Sequence, residues 1–141
     1  MQFSKDYKKI KGDASFRKFY KNKKTKSILV YAKKEKNKNL LIYDAINKIL
    51  IKNGVIAPKL LRQNYKKNYI EIEDLGDKTI YQSFLNKKKN HYLIFKKVIK
   101  ILNKIQTIKN KKIKNFNNRS YKVKYYEKNI LFDEVKLFSD W

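Results

Sequence analysis

Hydrophobic and polar positions in the first half of the chain predict four strands and one helix. The segments with the length and the β-branched or aromatic content of strands are residues 16–21, 27–32, 59–65 and 69–74. Residues 39–53 carry an apolar face at helical spacing, and Gly54 and Pro58 follow where a helix should end. That face consists of Leu40, Ile42, Tyr43, Ile46, Ile49 and Leu50. The order of the elements predicts an α+β fold with an antiparallel sheet.

The second half of the chain has the pattern of helices. Residues 92–108 place apolar side chains on one stripe and lysines largely outside it, which indicates amphipathic packing. A solvated lysine face and a DNA-binding helix both fit this pattern. Residues 109–120 show little periodicity and are predicted to be a linker, and helical patterning resumes over 121–141. The apolar face of this last helix, which nothing later in the sequence covers, consists of Leu131, Val135, Phe138 and Trp141.

The large positive charge has two explanations. Lys and Arg total 37 against 12 Asp and Glu, and the formal net charge is +25 over 141 residues. Such a balance favours phosphate-bearing partners or anionic membranes. However, only three of the basic residues are arginine, the side chain that pairs bidentately with phosphate and with guanine. The alternative is a coding bias toward Lys, Asn and Ile, under which the chain would bind nucleic acid only non-specifically.

The remaining composition predicts one cytoplasmic domain. A hydrophobic content of 42% is enough for a core, and the absence of cysteine fits a reducing compartment. No apolar run approaches the roughly 20 residues that a membrane-spanning helix needs. The first residues contain no apolar segment of signal-peptide length.

Two short segments carry the candidate chemistry. One is a glycine-containing turn before the first predicted strand, formed by Gly12, Asp13, Ala14, Ser15, Phe16 and Arg17. Such a turn either presents backbone N–H groups to phosphates or simply joins two strands. The other is the end of the strand at 69–74, where Glu73, Asp74 and Leu75 lead into Gly76. Its extended backbone can pair with a purine edge, or Asp77 can cap a helix that begins near Lys78.

Taken together, five strings of the sequence resemble a known family. In chain order they are G-D-A-S-F-R-K-F at 12–19, S-I-L-V at 27–30, N-G-V-I-A-P at 53–58, E-D-L-G-D at 73–77 and E-V-K-L-F-S-D-W at 134–141. The series closely resembles the aminoglycoside phosphotransferase superfamily. Within it, the chain is most similar to the cell-wall sugar kinases that phosphorylate N-acetylmuramate and N-acetylglucosamine at the anomeric hydroxyl.

The resemblance implies a protein-kinase-like architecture in two parts. Residues 1–77 would be the nucleotide-binding lobe with its hinge, and 78–141 would be the first helices of a truncated C-terminal lobe. The implied cofactors are ATP and Mg²⁺, and the implied acceptor is an amino sugar. Residues 73–75 would bind the adenine, and the turn at 12–17 would contact the phosphates.

The departures from the family are as informative as the match. The family's H-x-D catalytic loop and its metal-binding Asn and Asp have no counterpart, since the single histidine, His91, heads a predicted helix. The usual lysine of the third kinase strand falls near Tyr31, so Arg17 is the substitute candidate for a phosphate contact. The isolated chain is therefore expected to be inactive. A separately encoded C-terminal lobe, a non-catalytic remnant and a basic nucleic-acid-binding module remain alternatives.

Overall fold

The computed structural model describes residues 5–10, 16–33, 39–85, 90–109, 111–124 and 127–139, and it describes side chains in the last range only as far as residue 136. The strands found there are β1 Tyr7–Ile10, β2 Arg17–Asn22, β3 Ser27–Ala32, β4 Leu60–Asn64, β5 Tyr69–Glu73, β6 Lys112–Lys114 and β7 Ser120–Lys122. The helices are α1 Asn39–Lys52, α2 Ile80–Leu85, α3 His91–Gln106 and α4 Lys128–Ser139. The predicted α+β class is confirmed.

Five strands form one antiparallel sheet in the order β1-β2-β3-β5-β4. The four predicted strands are all present, and the polar turn between β2 and β3 is closed by the buried Asn22, whose side chain accepts from Lys24 and Thr25 N–H. The edge strand β1 was not predicted. Its sequence, Tyr-Lys-Lys-Ile, has no period-two alternation, and pairing with β2 rather than burial makes it a strand.

Helix α1 packs on one face of the sheet and forms the core with it. Val30, Ile70 and Leu40 are fully buried there, because alternate residues of β3 and β5 point toward the helix. The helix ends as predicted: Gly54 has a φ of 66°, and its N–H donates to the carbonyl of Ile51. The buried side of the helix differs from the predicted apolar face, since its buried residues are Leu40, Leu41, Asp44, Ala45 and Ile49.

The segment predicted to be a linker is instead a β-hairpin. Strands β6 and β7 pair, and the buried Asn115 organises their turn by accepting hydrogen bonds from the N–H groups of Asn117 and Arg119. The hairpin is attached to α1 because Phe116 N–H donates to Asp44 Oδ2 at 2.7 Å. The prediction of a linker was wrong because this hairpin depends on turn hydrogen bonds and one buried carboxylate rather than on apolar alternation.

Helices α2, α3 and α4 contain no buried residue among those described. Of the apolar stripe predicted over 92–108, only Ile108 is buried among the described residues, and it lies just after α3. Lys104 connects α3 to the end of α1 by donating a hydrogen bond to the Gly54 carbonyl. Helix α4 begins at Lys128 rather than at 121, because residues 120–122 pair as β7. Leu131 and Val135 are exposed, as expected; the side chains of Phe138 and Trp141 lie outside the described residues.

The attachment of the hairpin generates a stability prediction. Asp44→Ala removes the acceptor of Phe116 N–H, and a partly buried donor left without a partner costs about 1–2 kcal/mol. The matched control, Lys48→Ala, removes the ion-pair partner of Asp44 but keeps the acceptor of Phe116 N–H, so it should cost less than Asp44→Ala. Urea denaturation at neutral pH measures both. Equal losses for the two variants would show that Asp44 does not hold the hairpin.

Candidate functional site

The last residue of β5 and the residue after it are both held by backbone hydrogen bonds. Glu73 donates to the carbonyl of Lys59 at 2.9 Å, and Asp74 donates to the carbonyl of Lys26 at 3.2 Å. The second bond extends the ladder between β3 and β5 by one residue beyond β5. The position of residues 73 and 74 is therefore fixed by the two strands that flank β5.

The next two residues form a tight turn that leaves one N–H group available. Gly76 N–H donates to Asp74 Oδ1 at 2.9 Å, and the φ of Gly76 is 92°, which strains any residue that has a Cβ. Leu75, between Asp74 and Gly76, is 55% exposed. In the part of the chain that the structure describes, its N–H has no acceptor. Among residues 73–76, the N–H of Leu75 is thus the one backbone donor without an acceptor in the described residues.

Lys21, on β2, reaches this segment with its ammonium group. The Nζ atom lies 2.7 Å from both carboxylate oxygens of Asp77 and 3.0 Å from Asp74 Oδ2. The Asp74 side chain is nearly buried, whereas that of Asp77 is 86% exposed. Lys21 was not among the site residues predicted from the sequence. The one sequence signal for Lys21 is that it alternates along the strand with Arg17 and Phe19. Because the chain is so rich in lysine, this spacing does not distinguish it from the other lysines.

The hydrogen bonds of this segment shift two pKa values. The pKa of Asp74 lies below its ordinary 3.8, because the Gly76 N–H and then the Lys21 ammonium stabilise the carboxylate. The pKa of Lys21 is raised, because Asp77 and then Asp74 accept hydrogen bonds from its charged form. Both groups are consequently ionised across the neutral range, and the ion pair is present at physiological pH.

Arg17, Phe19 and Lys21 lie on the same face of β2, the one that α1 covers in part, because they alternate along the strand. Arg17 and Lys21 are four residues apart, which corresponds to about 13 Å. The Arg17 guanidinium stacks over the ring of Tyr43 on α1, 5.2 Å from its centroid, and near the exposed ring of Phe16, at 5.7 Å. Cationic groups therefore stand at both ends of a partly buried apolar strip.

The other predicted site residues have mixed outcomes. Gly12, Asp13, Ala14 and Ser15 lie outside the described residues. Tyr31 faces away from α1, and the residue of β3 that lies opposite Arg17 is the buried Ala32. His91 is the first residue of α3, as predicted, and its ring packs edge-on against Phe84. Helix α2 begins at Ile80, two residues after the predicted start near Lys78.

Among the described residues, no three His, Cys, Asp or Glu side chains group in a way that could hold a metal ion. No described helix is both long enough and apolar enough to cross a membrane. A cavity of about 240 Å³ lies away from the 73–77 segment, between α1, the end of α3 and the hairpin. Its lining consists of Ile46, Ile49, Leu50, Ile105, Ile108, Lys111 and Val123.

Comparison of the chain with protein-family models, with curated proteins and with solved structures gave no match.

The lowered pKa of Asp74 predicts a contribution to the pH dependence of stability. A carboxylate whose pKa is depressed by folding adds stability that is present above its unfolded value, near 3.8, and is lost as the pH falls through the lower folded value. A ¹³C NMR titration of the Asp74 carboxyl group should therefore give a midpoint below 3.8. Asp74→Asn, which keeps an acceptor for Gly76 N–H, should lose less stability on acidification than the parent chain. A midpoint at or above the ordinary value would contradict the assigned hydrogen bonds.

Proposed function

We propose that this chain is the nucleotide-binding N-terminal part of an ATP-dependent amino-sugar kinase of the aminoglycoside phosphotransferase type. The observation that carries the proposal is the backbone of residues 73–76. Three of its four N–H groups are bonded within the protein, and the fourth, that of Leu75, has no acceptor among the described residues. A purine ring nitrogen is an acceptor that such an isolated, pre-positioned donor fits.

The surrounding fold supports this assignment. The proposal requires an antiparallel sheet with one helix inserted between its third and fourth strands, and then an extended segment that leads into helices. The chain has this order, with α1 between β3 and β4 and the 73–77 segment between β5 and α2. The resemblance of the E-D-L-G-D string therefore falls on the connection where a kinase-like fold binds adenine.

The strip of β2 between Lys21 and Arg17 supports the orientation of the nucleotide. Phe19 on β2 and Ile28, which lies opposite Lys21 on β3, are partly buried apolar side chains on the α1 face, and they offer a surface for a ring system. Arg17 stands at the far end of the strip, opposite Ala32 on the third strand. In the proposed site its guanidinium replaces the missing third-strand lysine as the cation nearest the phosphates.

The proposed parent reaction transfers the γ-phosphoryl group of ATP to a sugar hydroxyl. The residues of this chain account for binding and orienting the nucleotide. The described residues do not fit Mg²⁺, since they offer no cluster of metal ligands, and no step of the reaction is assigned to such an ion here. No base for the acceptor hydroxyl is assigned either, because His91 packs against Phe84 at the start of α3.

The role of the Leu75 N–H predicts the effect of removing it. Leu75→Pro deletes this donor, and the preceding residue extends a strand, the conformation that proline favours before it. Loss of one neutral hydrogen bond should weaken ATP binding roughly three- to tenfold in calorimetry.

Leu75→Ala is the matched control, because it shortens the side chain but keeps the N–H group. Its ATP affinity should stay within about twofold of the parent, since the donated hydrogen bond persists. Circular dichroism checks that both variants fold. Equal ATP affinities for the proline variant and the parent would remove the basis of the proposal.

The charge favours a second candidate function, a nucleic-acid-binding module. The net charge of +25 and the aromatic content of 14% are the observations behind it. If the charge is compositional, duplex DNA should bind without sequence preference and should dissociate steeply as salt is added. A competition experiment with random-sequence DNA at physiological salt measures this. One sequence bound about 10³-fold more tightly than the others would favour the nucleic-acid function instead.

A further inference from the structure

The segment that carries Leu75 has few attachments to the rest of the protein. Its first two residues are held by the backbone bonds of Glu73 and Asp74, but beyond them the hydrogen bonds are internal to the turn or to the start of α2. Helix α2 itself contains no buried residue. Among the described contacts, the ion pair of Lys21 with Asp77 is what ties residues 75–79 to the sheet.

We propose that Lys21 is a positioning residue for nucleotide binding, which holds the turn at 74–77 in the shape that presents the Leu75 N–H. This inference rests on the proposed function, because it assigns a role to Lys21 only in the site that Leu75 forms. Lys21 acts through the two aspartates and is not itself assigned a contact with the nucleotide.

The geometry explains why one lysine can do this. Its ammonium group contacts both Asp77 oxygens and one oxygen of Asp74, so a single side chain bridges the first and the fourth residue of the turn. The second oxygen of Asp74 accepts Gly76 N–H inside the same turn. The Lys21 side chain is only 28% exposed, which limits the conformations it samples. Together these contacts restrain the residues on both sides of Leu75.

Exposed ion pairs contribute little to global stability, so the proposed role should appear locally rather than in the unfolding transition. The first measurement uses amide hydrogen exchange without nucleotide. Lys21→Met keeps nearly the length of the side chain but removes its charge, and it should accelerate exchange of the Gly76 amide, which donates to Asp74 Oδ1, about tenfold. Lys21→Arg should restore slow exchange, since a guanidinium can bridge the same carboxylates.

The second measurement separates positioning from simple charge attraction. Asp77→Asn makes the chain more positive, so attraction of an anion alone predicts tighter ATP binding. Positioning predicts the opposite, because the bridge to Lys21 is weakened, and we expect ATP affinity to fall about threefold. Tripolyphosphate, which has no purine to bind Leu75, serves as the control ligand. Its affinity for Asp77→Asn should equal or exceed its affinity for the parent chain. Tighter ATP binding by Asp77→Asn would overturn the inference.

The two experiments also distinguish this inference from the proposed function. The exchange measurement is made without nucleotide. Unchanged exchange in Lys21→Met would therefore show that Lys21 does not hold the turn at 74–77, whether or not ATP binds. If the parent chain does not bind ATP, the proposed function is overturned, and so is the role of Lys21 in nucleotide binding. The exchange result still decides whether Lys21 orders the turn. Because Asp77 is 86% exposed, Asp77→Asn leaves the fold intact and provides a test even if Lys21→Met fails to fold.

Discussion

The pairing of β3 with β5 is the contact on which the rest of this structure depends. It joins segments about 40 residues apart in sequence, and it places Val30 beside Ile70, both fully excluded from solvent, beneath α1. On the opposite face it buries Glu71, which accepts hydrogen bonds from Ser27 and from Arg62. The same ladder continues to the bond between Asp74 and Lys26, so the packing of the core also fixes where the candidate site begins.

Burial divides the described chain into two unequal parts. The sheet, α1 and the hairpin contain the buried residues, together with Ala57 and Ile108, while α2, α3 and the described side chains of α4 are intermediate or exposed throughout. The candidate site lies at the junction between these parts, because residues 73–77 leave the sheet and α2 follows. This position explains its chemistry. The backbone bonds of Glu73 and Asp74 come from the rigid part, whereas the turn beyond them depends on the charges of Lys21 and Asp77.

The sequence predicted the elements whose stability comes from apolar burial. Strands β2 to β5, α1 and its end at Gly54 follow from alternation, helical spacing and the left-handed glycine. The features it missed are held by polar contacts between distant residues. Asp44 was not among the residues singled out from the sequence, yet it is buried, and it accepts the N–H of Phe116 from the hairpin. Lys21 could not be separated from the other lysines until the fold placed it beside Asp74 and Asp77. The 73–75 segment was singled out as a strand end that leads into Gly76, the family resemblance implied that it binds adenine, and that role remains a prediction.

The most direct test of the account is an ¹⁵N NMR titration of the parent chain with ATP, compared with tripolyphosphate at the same ionic strength. Shared charge attraction should move lysine-rich segments with both ligands. The account predicts additional shifts of the Glu73, Asp74, Leu75 and Gly76 amides that appear with ATP, are largest at Leu75, and are missing with tripolyphosphate. Shifts that are spread evenly over the lysine-rich segments and are equal for the two ligands would contradict it.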